Sequence, residues 1–92
     1  MVTDFTYNGN CIASKQGIVC GKGIEYRLTK EANTAPVYKI SIRLGDECIL
    51  RELSEDFSYS LYIFKYVSKN LVTPCTLDDV LEDNFGIIFI KN

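Results

Sequence analysis

The sequence predicts an α+β fold in which an N-terminal antiparallel sheet of four or five strands packs on two C-terminal helices, with a possible final strand. Three observations carry this reading. From Phe5 to about Leu53 apolar residues recur with a period of two, after Leu53 they recur at helical spacing, and Gly86–Lys91 is again rich in β-branched residues. At 92 residues, 47% hydrophobic and 24% charged, the chain is read as one domain: 1–53 sheet, 54–85 helices, 86–92 terminal strand or tail.

The clearest strand is Val37–Leu44, where Tyr38, Ile40, Ile42 and Leu44 alternate with Lys39, Ser41 and Arg43. Ile24–Leu28 alternates in the same way, and Lys30–Pro36 reads as the loop between the two. Gly45-Asp46 is a tight-turn pair leading to a third arm, Cys48–Leu53, whose inward face the continuous run Cys48-Ile49-Leu50 leaves open. Further upstream, Asn8-Gly9 and Ser14-Lys15-Gln16-Gly17 compete as the first reversal. The preferred arrangement makes Phe5–Ser14 a long strand folding back on Gly17–Leu28, with Gly21 and Gly23 marking a bend or bulge.

Helix one is expected over Glu55–Lys69, with Ser54 as N-cap, Glu55 and Asp56 in the first turn, and Phe57, Leu61, Phe64 and Val67 on the apolar face. Thr73-Pro74 ends that run, because the residue before proline is pushed out of the α region. Thr76 is the expected cap of a second helix with Leu77, Val80, Leu81 and Phe85 on one face and Asp78, Asp79, Glu82 and Asp83 on the other. Ile87–Ile90 is too apolar to be left in water and is expected to be buried, in this chain or against another.

Chemistry is narrowed mainly by exclusion. Ten basic and twelve acidic side chains give a net charge of −2, so no broad positive field exists to attract nucleic acid. The chain contains no histidine, and no serine or cysteine sits in a nucleophile-elbow pattern, so no enzymatic activity and no cofactor are expected. Cys11, Cys20, Cys48 and Cys75 lack the Cys-x-x-Cys spacing of a zinc site, and buried free thiols are the expectation. A two-residue turn at Lys15-Gln16 would place Cys11 opposite Cys20 and open the way to a disulfide; a turn ending at Gly17 would separate them.

Gly21-Lys22-Gly23 is followed by a strand pattern rather than the helix that a phosphate-binding loop requires, so it is read as a bend or bulge. The acidic quartet of helix two either forms a solvated face or makes the chain a small-molecule or divalent-metal binding domain, the alternative reading of function. Arg27, Lys39, Arg43, Lys65 and Lys69 could combine with tyrosines to stack single-stranded nucleic acid, but those on the strands are read as the alternating wet face and the acidic net charge argues against such a groove. With no basic leader and no apolar run near 20 residues, the expected location is the cytosol, with no membrane association and with reduced thiols.

Tyr59, Tyr62 and Tyr66 form a stripe on helix one offset from its apolar face. One reading has the domain core and the second helix cover both surfaces of the helix, with the hydroxyls reaching the surface; the other makes the stripe a docking surface, since tyrosine is enriched at interaction hot spots. Together with Ile87, Ile88, Phe89 and Ile90, these tyrosines are the candidate partner-binding residues, the partner being a protein, with a second copy in a homodimer as one candidate.

Leu53-Ser54 and chiefly Thr73-Pro74-Cys75-Thr76-Leu77-Asp78-Asp79-Val80-Leu81-Glu82-Asp83 resemble a family of short uncharacterised Firmicute proteins. That family ends on Ser-Pro-x-His-Leu-x-Asp-Val-x-Glu-Asp. The resemblance spans Ile24–Phe85 and departs at Thr76, where the family has histidine; Gly86–Asn92 extends past the family's usual end. It implies a bacterial cytosolic protein with strands before helices, and no activity, substrate or site residue.

Overall fold

The structure is a computed structural model that describes residues 9–31 and 37–87. Four strands, β1 (Gly9–Val19), β2 (Lys22–Glu31), β3 (Val37–Leu44) and β4 (Glu47–Ser54), form an antiparallel sheet in the order β1-β2-β3-β4. Helix α1 (Phe57–Lys69), a short 3-10 turn (Pro74–Thr76) and helix α2 (Leu77–Phe85) follow, so the predicted α+β order of sheet then helices holds. Beyond Gly86 and Ile87, the expected final strand lies outside the described residues.

The first reversal differs from the expected one. β1 runs unbroken through Ser14-Lys15-Gln16-Gly17, and the chain turns at Cys20-Gly21, whose φ angles of 51° and 79° are those of a type I′ two-residue turn. Its handed twist matches the flanking strands, and glycine takes one of the two left-handed positions. The bulge lies between Cys11 and Ala13, not at Gly21 or Gly23, and Asn8 is outside the described residues. β2 begins earlier and ends later than Ile24–Leu28, so Lys30 and Glu31, expected in the loop, belong to the ladder. Between β3 and β4 the turn falls at Gly45-Asp46 as predicted, with Gly45 at φ 60°.

Period two then sorts the sheet into two faces. Ile24, Tyr26, Leu28, Tyr38, Ile40 and Ile42 are buried beneath the helices together with Leu53. The ambiguous run in β4 resolves by parity: Ile49 turns toward the helices, whereas Cys48 and Leu50 are exposed on the other face. That outer face carries Ser14, Gln16, Ile18, Glu25, Arg27, Thr29, Lys39, Ser41, Arg43, Cys48, Leu50 and Glu52, none of them buried.

Helix α1 starts two residues later than predicted. Its N-cap is Asp56, whose carboxylate accepts the Tyr59 backbone N–H at 3.1 Å, and Ser54 remains in β4. The buried face centres on Ser60, Ile63 and Val67, with Phe64 and Ser68 beside them, and Phe57 lies at its margin. The rotation follows from packing. Ser60 is small enough to bring the helix close to the sheet, and its hydroxyl meets that of Ser54 at 2.8 Å, so the buried polar group is satisfied.

After α1 the chain turns through Leu71, at φ 52°, a left-handed position that costs a residue with a Cβ about 1 kcal/mol. Leu71 packs there against the Cβ-less backbone of Gly17, where an added Cβ would stand 3.1 Å from Leu71 Cδ2. Pro74 opens the 3-10 turn, where its missing N–H is harmless, and Thr73 and Thr76 close a reciprocal capping box. Thr76 makes no side-chain cap bond to α2, contrary to its expected role; its hydroxyl is used by Thr73 instead. Gly86, at φ 68°, ends α2 and leaves its N–H on the Glu82 carbonyl.

Candidate functional site: the aromatic flank of the first helix

Helical geometry places Tyr59, Tyr62 and Tyr66 on the flank of α1 that α2 approaches. Phe85, in the last turn of α2, stands among the three rings. Its centroid lies 6.3, 5.8 and 5.4 Å from those of Tyr59, Tyr62 and Tyr66, with interplanar angles of 80°, 84° and 88°. Edge-to-face contacts of this kind direct a positive ring edge at a negative ring face.

Two hydroxyls fix the arrangement. Tyr59 donates to the Phe85 carbonyl at 3.2 Å, and Tyr66 donates to Asn84 Oδ1 at 3.3 Å while the Asn84 amide donates to the Val80 carbonyl at 3.1 Å. The stripe is therefore anchored within the chain by its two outer members. Tyr62, between them, has no such bond among the described residues and remains 60% exposed. Ile87 is half-buried and packed against the core; Ile88, Phe89 and Ile90 lie outside the described residues.

The acidic quartet of α2 does not act as a unit. Arg51 of β4 holds Asp78 by two parallel bonds, Nε to Oδ1 at 2.8 Å and Nη2 to Oδ2 at 3.1 Å. This bidentate clamp ties β4 to the first turn of α2, where a carboxylate also suits the helix dipole. Asp79, Glu82 and Asp83 are separately exposed, and among the described residues no three Cys, Asp or Glu side chains converge as metal ligands.

All four cysteines are free and exposed, which corrects the expectation of buried thiols. The candidate Cys11–Cys20 pairing fails on geometry: Cys11 lies opposite Thr29, and Cys20 stands in the turn at the far end of the same strand, roughly 30 Å away at the rise of a β-strand. Cys48 and Cys75 both border an open groove of about 440 Å³ between residues 47–51 of β4 and Pro74-Cys75. Of the basic set, Arg27 pairs with Glu25 at 3.0 Å, and Lys39 is registered opposite Glu52. These strand residues occupy the outer face of the sheet, whereas Lys65 and Lys69 lie on the helix that covers the inner one.

Neither the Arg51–Asp78 clamp nor the hydrogen bond from the Tyr26 hydroxyl to the Val72 carbonyl is foreshadowed in the sequence. Each joins residues far apart in sequence, and spacing carries no signal for either. Among the described residues, no helix is long and apolar enough to cross a membrane. In comparisons with known proteins, no family model, no curated protein and no solved structure matches the chain.

Proposed function

We propose that this chain is a small protein-interaction or regulatory module, working by docking rather than catalysis, in the bacterial cytosol. The carrying observation is Tyr62: its two neighbours are tied to α2 through their hydroxyls, whereas this ring leans on Phe85 by its edge-to-face contact alone and is 60% exposed on a rigid aromatic platform. A preorganised tyrosine contributes apolar area and a hydroxyl with little side-chain entropy to lose on binding. The absence of histidine from the sequence supports a non-catalytic role, and the likeness of the C-terminal motif to short Firmicute proteins supports the location.

The test is differential capture from a bacterial extract with wild-type and Tyr62→Ser baits. Proteins retained by the wild type and lost from the variant, at an unchanged melting temperature, support docking on this face. Identical retention by both baits removes Tyr62 from the reading.

A further inference from the structure

The two edges of the sheet are treated differently among the described residues. Val19 and Lys22 bracket a two-residue turn, so they form a hydrogen-bonded pair. Antiparallel pairs alternate, which leaves Ile18, Gln16 and Ser14 opposite Gly23, Glu25 and Arg27 at non-hydrogen-bonded positions. Their backbone N–H and C=O groups therefore point away from β2. β1 ends the sheet order, and among the described residues no bond to these groups is found.

At the other edge the same alternation turns the Leu50 groups outward, but Arg51 Nη1 donates to the Leu50 carbonyl at 2.9 Å while its other nitrogens hold Asp78. A side chain thus blunts β4, as exposed edges usually require. Among the described residues nothing comparable blocks β1 over Ala13–Val19. There Ile18 is 72% exposed, and Lys15 is the single charge.

We infer that the edge of β1 pairs antiparallel with the β1 edge of a second copy, on a two-fold axis at Gln16. The outward backbone groups require an extended strand, and this register uses all three outward residues of each copy: Gln16 faces Gln16, and Ser14 faces Ile18. Charge selects the same register. Lys15 falls opposite Gly17 of the second copy, where no side chain stands, and its methylene stem reaches Leu71, which packs on that glycine and is 44% exposed. Centring the axis on Lys15 would oppose two ammonium groups. A contact of this length falls short of the roughly 800 Å² per partner of a standard interface, so the dimer is weak and appears only at high concentration. The inference shares with the proposed function the premise that this chain docks protein, but it uses a different surface.

The experiment is sedimentation equilibrium of the full chain under reducing conditions, up to about 500 μM, a range suited to sub-millimolar association. The variants are Gln16→Pro, Gln16→Lys and Tyr62→Ser. Proline at 16 removes an N–H that the chain's own ladder does not use, and lysine at 16 opposes like charges at the axis without removing any backbone group. The expected result is a concentration-dependent shift toward twice the monomer mass in wild type and Tyr62→Ser. Dimerisation should be at least tenfold weaker in Gln16→Lys and in Gln16→Pro; Gln16→Lys alone decides if the proline variant unfolds. A wild type that stays monomeric throughout overturns the inference and leaves docking at Tyr62 standing. A dimer that survives the edge variants, or is lost only with Tyr62→Ser, also overturns it.

Discussion

The hydroxyl of Tyr26, at the centre of β2 and wholly buried, donates to the carbonyl of Val72 at 2.9 Å. This single bond joins the middle of the sheet to the segment between the two helices, 46 residues further along the chain. It explains how a phenol sits in the core: its polar atom is matched with a buried backbone acceptor in the link that follows α1.

Tyr26→Phe keeps the ring and removes the donor. The expected loss is about 1–2 kcal/mol, because the Val72 carbonyl then stays buried without this partner. Urea unfolding measures it; an unchanged midpoint would show that water replaces the hydroxyl.

Burial raises the pKa of Tyr26 above the ordinary phenol value of 10.0, because the interior disfavours a phenolate. The native state therefore holds its proton while the unfolded chain releases one. The stability this contributes is intact below pH 10.0 and declines as pH rises toward the folded value. Melting temperatures measured across that range should fall more steeply for wild type than for Tyr26→Phe; parallel curves would contradict the assignment.

The Arg51–Asp78 clamp is partly screened, with side-chain exposures of 33% and 15%. A double-mutant cycle with Arg51→Met and Asp78→Asn should give a coupling near 1 kcal/mol, reduced by added salt. A coupling indistinguishable from zero would make the clamp ornamental to stability.

Capping separates Asp56 from its neighbour. Asp56→Ala should cost about 1 kcal/mol, since the Tyr59 N–H loses its acceptor, whereas Glu55→Ala, in the bend before the helix, should change stability by less than about 0.5 kcal/mol. Equal losses in thermal unfolding would show that the helix starts earlier.

Gly86→Ala tests the close of α2. Nothing stands within 4 Å of an added Cβ, so the expected destabilisation of about 1 kcal/mol comes from the left-handed backbone alone. Circular dichroism during thermal unfolding reads it, and a stabilised variant would exclude that conformation.

Hydrophobic period was enough to place β3 and the Gly45-Asp46 turn where the structure has them, and to order sheet before helices, because alternation and helical spacing are properties of neighbouring residues. It misplaced the first reversal because two-residue turns succeed at several glycine-bearing sites, and only full pairing with β2 selects Cys20-Gly21. The N-cap moved from Ser54 to Asp56 for a similar reason: the last residues of β4 are claimed by β3, and Ser54 is drawn to Ser60. The tyrosine stripe was visible as a spacing, but whether its rings met water or protein depended on where α2 lay. That was settled by Phe85, Gly86 and the Arg51–Asp78 clamp acting across the fold. Local sequence thus determined the elements and their apolar faces, while tertiary contact decided which aromatic ring and which strand edge stayed uncovered, since exposure depends on neighbours that the chain meets only after folding.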